Sequence, residues 1–342
     1  MELTERQETI LALIIHEFVE NVHPIGSKSM VGKYNLQISP ATVRNEMSAL
    51  TESGFLRQPH TSAGRVPTEE GYRYFVRSLL GETDLPAAEK RLISHQFHQA
   101  PTDIEEWVRL ATSILAQHSH VASLATAPRP RYATFKHLEL ISTQGRQVLL
   151  VLVLQGGDVR QQILTLADVA DQQRLAESAA HITACCGGKS ADQVAAQADE
   201  LPELEREVTT LVAEMMRKTD AVRTGRIFRD GLSNVIAQPE FADSDMAQNA
   251  LRLLEERSFT EEVLTSILSP TIGAVQVVIG GEGAWEELRH CSVVVTRYGD
   301  PDLATGAIGV LGPIRMSYGR TISAVRYVAG LLSDLVLEVY SP

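Results

Sequence analysis

Ala41, Thr42, Arg44, Asn45 and Ser48 fall within eight consecutive positions. An arginine guanidinium can donate two parallel hydrogen bonds to guanine O6 and N7, and an asparagine amide can pair with adenine N6 and N7. Alanine and the threonine methyl can touch a thymine methyl, and small side chains let a helix approach closely. Ser39 and Thr42 offer hydroxyls and helix-terminal amides to phosphate oxygens. At 100° per residue Val43, Met47 and Leu50 share one face, and Ala41, Asn45 and Ser48 lie opposite, flanked by Thr42 and Arg44. In isolation this would read as a solvated helix face. The elements around it decide.

Twelve residues further on stands His60-Thr61-Ser62-Ala63-Gly64-Arg65, a polar loop with two hydroxyl side chains and one guanidinium. Such a loop suits phosphate or minor-groove contact. Lys28, Lys33, Arg73 and Arg77 are placed to add contacts to a nucleic-acid backbone. Between residues 24 and 77 there are 7 Lys/Arg against 4 Asp/Glu, a local excess of +3. The whole chain carries −12, so any polyanion site must be local.

The flanking elements are legible. Thr4 with Gln7 three residues later is a capping box, and Ile10, Leu13, Ile14 and Phe18 mark one helix face. His23-Pro24-Ile25-Gly26 ends that helix and could form a short strand. Ser27 can cap a short helix to about Tyr34. Ser39-Pro40 opens a third helix, and Gly54 stops it. Two short strands then surround the polar loop, and Thr68 caps a helix holding Tyr72, Phe75, Val76 and Leu79. Helix, short helix, helix, strand, loop, strand, helix within 80 residues predicts a winged helix-turn-helix.

Beyond residue 80 a polar stretch reads as a linker. A helix is expected over 103–117, then strands over 136–143, 147–155 and 159–166, joined by Gly-containing turns as an antiparallel meander. Helices follow over 168–184 and 203–219. Further helices are expected near 245–256 and 260–268, strands over 271–279, 291–297 and 307–311, and a last helix over 320–340. Strands, helices and strands again indicate an α+β domain carrying a helical insertion. Leu204, Val208, Leu211 and Met215 form a stripe that suits either a dimer interface or packing within its own domain.

Three runs together carry a family signature: SPATVRNEM at 39–47, QPHTSAGRVPT at 58–68 and GYRYFV at 71–76. With RDGLSN at 229–234, QPEF at 238–241 and GVLGPIRMSY at 309–318, the chain resembles the HrcA family of bacterial heat-inducible transcription repressors. The resemblance implies a multidomain α+β protein: a winged helix-turn-helix, a GAF-like domain, and a dimerising domain inserted into it. On this sequence those parts fall at 1–80 (DNA-binding), 81–102 (linker), 103–167 (GAF-like, first part), 168–228 (inserted dimerising domain) and 229–342 (GAF-like, second part). It further implies a homodimer on an inverted-repeat double-stranded DNA operator, repressing chaperonin and Hsp70-system operons until heat shock. The chaperonin would keep the repressor active. Arg315 and Met316 are expected in the domain core or at its junction with the winged helix.

Other chemistry finds little footing. Ile279-Gly280-Gly281-Glu282-Gly283 lacks the third glycine of a dinucleotide loop and any Walker lysine, so a turn is expected. His118 and His120 have no cysteine or carboxylate cluster beside them, and no metal or cofactor is expected. No catalytic constellation stands out, so the chain does not read as an enzyme. The three cysteines, Cys185, Cys186 and Cys291, imply no disulfide framework. Neither a signal peptide nor a run of about 18–20 apolar residues is present, so a cytoplasmic protein without a membrane is expected.

Overall fold

A computed structural model describes residues 3–61, 63–81, 83–100, 103–130, 132–155, 158–221, 226–241, 255–283, 285 and 288–340. The chain divides into two compact units. One comprises 1–127, 226–298 and 307–334, the other 128–225, 299–306 and 335–342.

The first unit opens with α1 (Glu5–Asn21), whose Thr4 cap and Gln7 side chain satisfy each other's backbone amides. The apolar run Ile10–Ile15 leaves the buried face underdetermined by period alone. The structure buries Ile10, Leu11, Ile14 and Ile15, while Leu13 and Phe18 are only half-buried. Next come α2 (Ser27–Tyr34), α3 (Pro40–Glu52), the antiparallel pair β1 (Leu56–Arg57) and β2 (Val66–Pro67), and α4 (Glu69–Tyr74), which runs into a π-helical turn at Phe75–Leu79. Ile25 makes a single bridge to Arg65 rather than a strand.

The expected linker over 81–102 is a correction. It contains a helix, α5 (Ala87–Gln99), because Ile93 and Phe97, one turn apart, are both buried. Ser94 Oγ lies 2.6 Å from the Tyr327 hydroxyl, and that hydroxyl donates to Lys90 O at 3.1 Å.

After α6 (Ile104–Ser119) the chain builds a five-stranded sheet in the order β7-β3-β10-β9-β8, from β3 (Ala122–Thr126), β7 (Ile227–Asp230), β8 (Gln276–Ile279), β9 (Cys291–Gly299) and β10 (Thr305–Pro313). The pairs β7/β3, β3/β10 and β8/β9 are antiparallel. Central strands β3 and β9 are buried on both faces, and small polar residues (Ser123, Thr126, Ser292, Thr296) are buried among the apolar ones, so no alternation marks β3. On one face Leu124, Val293, Val295 and Leu311 pack with Val235 of α10 (Leu232–Ile236) and with Val263 and Leu264 of α11 (Arg257–Ile267). On the other, Ser123 Oγ donates to Thr112 O of α6, and Ser292 Oγ meets the Tyr318 hydroxyl at the start of α12 (Tyr318–Tyr340). Most of the helix expected over 245–256 lies outside the described residues.

The second unit is built on the meander β4 (Phe135–Ser142), β5 (Gln147–Leu154) and β6 (Val159–Thr165), antiparallel throughout. Strand β5 alternates buried Val148, Leu150, Leu152 and Leu154 with less buried residues. The buried set packs on α7 (Gln172–Cys186), α8 (Ala191–Ala198) and α9 (Glu203–Ala221) in one hydrophobic cluster. This corrects the expected boundary at 168. The meander shares its core with the helices that follow it, and the compact unit begins at 128. Among the described residues no helix is long and apolar enough to cross a membrane.

Candidate nucleic-acid interface

Helix α3 carries the first group of site residues. Ser39 Oγ accepts from the Thr42 amide at 3.1 Å and shares a 2.9 Å hydrogen bond with the Thr42 hydroxyl. That cap and Pro40 at the first helical position fix where the helix starts. At the far end Gly54, at φ +83, lets Phe55 N donate to Leu50 O at 2.9 Å and Gly54 N to Thr51 O at 3.1 Å, a Schellman closure. Val43, Met47 and Leu50 are buried, so the helix cannot roll. Ala41, Arg44 and Asn45 are exposed, and Thr42 and Ser48 are half-buried at the edges of that face. Among the described residues nothing pairs with Arg44 or Asn45.

The ribbon β1–β2 presents the second group. Gln58 Nε2 donates to Thr61 O at 2.9 Å and to Ala63 O at 3.0 Å, holding the loop from inside. His60 and Thr61 are exposed at its tip, and Ser62 lies outside the described residues. Arg65 is a brace at the base of the ribbon: its Nε donates to Thr51 Oγ1 of α3 at 3.0 Å. Gln58 and the exposed Arg57 were missed by sequence reasoning. The signal was there for Arg57, since buried Leu56 puts its neighbour on the outer face of a strand.

Two of the expected phosphate contacts already have partners within the protein. Lys33 Nζ lies 2.6 Å from Glu17 Oε2 and 3.9 Å from Glu20. The hydrogen bond to Lys33, then that to Tyr34, holds the Glu17 carboxyl below its usual range, and the same partner raises the Lys33 ammonium. Arg73 donates to Glu69 at 3.1 Å, to Glu70 at 3.3 Å and to Ile279 O of β8 at 2.8 Å, so its charge is spent within the protein. Lys28 remains exposed, with no ion pair among the described residues. Among the described residues of the first eighty, Lys28, Arg44, Arg57 and Arg77 are exposed and make no ion pair.

A sequence profile of the HrcA protein C terminal domain matches residues 105–322. The heat-inducible transcription repressor HrcA of Roseiflexus castenholzii is 42% identical over 347 residues, spanning 99% of this chain and 96% of that protein. The chain belongs to the HrcA family. The repressor of the same name from Chloroflexus aggregans is also 42% identical, over 354 residues, covering 99% of this chain and 94% of its own. A crystal structure of a hypothetical protein shares the fold, with a TM-score of 0.60 at 21% identity over 98% of both chains. The HrcA family is one of transcription repressors that act on heat-inducible genes.

In this HrcA-family chain the stripe Leu204, Val208, Leu211 and Met215 is already occupied. Val208 and Met215 are buried in the second unit's core, and Leu204 and Leu211 pack against it. The stripe thus contributes to packing within its own unit, with Leu204 and Leu211 left half-buried at its edge. Gly280–Gly283 forms a 3-10 turn, and His118 sits 3.5 Å from Glu89. Among the described residues no group of three His, Cys, Asp or Glu side chains is placed to hold a metal.

Proposed function

We propose that this chain represses heat-shock operons as a homodimer on an inverted-repeat DNA operator. The observation that carries the reading is α3: capped, locked by its apolar face, and presenting Arg44 and Asn45 unpaired to solvent. In this reading the first eighty residues are a winged helix-turn-helix and α3 enters the major groove. Arg44 and Asn45, with Ala41, Thr42 and Ser48 beside them, meet base edges. The loop at His60 and Thr61, with Lys28, Arg57 and the capped N-terminus at Ser39, meets phosphates. The sheet of the first unit and its helices form the GAF-like domain, and the second unit is the dimerising insertion. The chaperonin is the partner that maintains the active form. The protein acts by binding, without catalysis.

Two-fold symmetry follows from an inverted repeat read by one helix per half-site. A surface for it is supported in the second unit by the meander face that no described residue covers. Cross-strand register sets Ile141, Leu149 and Ile163 in one row and Val153 beside Val159 in another. Ile163 is 62% exposed and Ile141 43%. A contiguous exposed apolar row of this kind marks an interaction surface.

The reading is tested by titrating the protein against two duplexes of equal composition at fixed salt, one with the intact inverted repeat and one with a half-site scrambled. Strong preference for the intact repeat is expected. Equal weak binding to both, with chaperonin present, overturns it.

A further inference from the structure

We propose that Arg315 is a positioning residue for DNA recognition. It clamps α1, and through α1 the reading helix α3, to the sheet-bearing part of the first unit. This rests on the dimeric-repressor reading given above.

The side chain of Arg315 is 13% exposed, and each guanidinium nitrogen donates a hydrogen bond. Nε donates to Glu240 Oε1 at 2.5 Å, and Nη2 to Gln238 Oε1 at 3.0 Å and Glu240 Oε2 at 3.3 Å. Nη1 donates to Val19 O at 2.9 Å. Val19 lies in the last turn of α1, where the final carbonyls have no partner within the helix and carry the negative end of its dipole. Helix α1 has no basic residue of its own in that turn. A residue nearly three hundred positions later supplies the cation, with Glu240 and Gln238 fixing its plane.

The junction is reciprocal. Arg73, from α4, donates outward to Ile279 O at the end of edge strand β8. Between the two arginines the rings of Tyr72 and Tyr318 lie 6.0 Å apart. Tyr318 in turn donates to Ile314 O at 2.7 Å. Just past the bonded carbonyl, Val22 takes φ 57, a left-handed conformation that a β-branched residue adopts only when its surroundings enforce it. The exit of α1 is thus held rather than relaxed. The other end of α1 grips α3: Gln7 Nε2 donates to Glu46 at 3.3 Å, and Arg6 lies 3.5 Å from the same carboxylate. A displacement at Val19 therefore moves α1 as a rod and carries α3 with it.

A two-fold protein reads two half-sites only if both reading helices are held at the operator's spacing. Rigid positioning makes the second contact effectively intramolecular, and a loosened module loses that gain while tolerating other spacings. Arg315 is then needed for spacing, not for contact with DNA.

The test uses the full chain and three operator duplexes: the native inverted repeat, and repeats with the spacer two base pairs longer or shorter. Wild type should lose about tenfold or more in affinity off the native spacing, because half-site geometry is fixed. Arg315→Ala should bind the native operator more weakly and vary by less than about threefold across the set, because its modules are no longer preorganised. Glu240→Gln keeps the shape and weakens the clamp, so it should fall between the two and guards against a fold defect in Arg315→Ala. Arg315→Ala with the wild-type spacing profile, or an equal loss on all three duplexes, overturns the clamp. A wild type indifferent to spacing overturns the dimeric-repressor reading itself, and the clamp with it.

Discussion

Ile25 and Arg65 exchange both of their backbone hydrogen bonds, each at 2.9 Å, and so stitch the base of the β1–β2 ribbon to the turn between α1 and α2. Gly64 passes this stitch so closely that a Cβ there would lie 2.3 Å from Ile25 O. The obstruction is backbone, so it cannot be relieved by a rotamer change. Gly64→Ala is expected to unpin the ribbon and lower stability by about 1–3 kcal/mol. Binding to operator and non-operator DNA should weaken together, because the ribbon is assigned phosphate contacts. Urea denaturation with paired binding titrations checks both, and an operator-only loss would move the ribbon into base reading.

The assigned readers and the two lysines of α2 should separate in binding assays. Arg44→Ala or Asn45→Ala should cost about 1–3 kcal/mol and relax base preference at one operator position. Lys28→Ala should weaken all sequences alike and lower the slope of log affinity against log salt by about 1. Lys33→Ala should leave that slope unchanged, since Lys33 is paired with Glu17 at 2.6 Å. A slope change for Lys33 and none for Lys28 would reverse the assignment.

What was legible in the sequence follows from where each signal is stored. The capping box at Thr4, the Ser39-Pro40 pair and Gly54 are local, and the structure realises all three. The inward set Val43, Met47 and Leu50 also emerged intact, because polar residues interrupt α3 often enough to fix its phase. In α1 the unbroken apolar run did not fix the phase. The strand β3 was invisible because both its faces are buried. The partners of Lys33 and Arg73, Glu17 and Ile279 O, were not legible because they are set by tertiary packing, the latter 206 positions away. The helical stripe around Val208 carried no mark to distinguish a subunit interface from a core, because the meander that packs against it is distant in sequence.

The uncovered meander face gives a separate expectation. Ile163→Lys adds a charge at a position 62% exposed, where little of the monomer's own packing is at stake. It should shift the protein toward monomer in sedimentation analysis, leave the unfolding midpoint of the isolated chain nearly unchanged, and reduce preference for an intact inverted repeat. A dimer that persists with unaltered affinity would take this face out of the assembly.

Thiol reactivity reports on both cores. Cys291 is buried in the first unit, where burial pushes its thiol up to about 12, and Cys186 is buried in the second and is raised for the same reason. Cys185 beside it is partly exposed. The thiolate is the reacting species. A thiol-specific reagent near neutral pH should therefore modify Cys185 alone in the native protein and all three after unfolding. Mass mapping of the labelled peptides reads this directly, and rapid native labelling of Cys291 would contradict its place beside Val293 in the sheet core.

Glu17 ties α1 to α2 by accepting from Lys33 at 2.6 Å and from the Tyr34 hydroxyl at 2.7 Å. Those two hydrogen bonds hold its carboxyl below the ordinary 4.5. A group whose folded value is depressed contributes stability above its unfolded value, and that contribution drains away as pH falls through the folded one. The wild type should thus lose stability steeply below about pH 4.5, whereas Glu17→Gln, with no charge to protonate, should be less stable at pH 7 and flatter on the acid side. Tyr34 sets the opposite limb: burial first, and Glu17 second, raise it to about 12, so its contribution is full below pH 10 and drains away as pH rises to about 12. Urea midpoints measured across pH for wild type, Glu17→Gln and Tyr34→Phe check both limbs. Parallel acid limbs for wild type and Glu17→Gln would mean that Lys33 is free after all and available to phosphate.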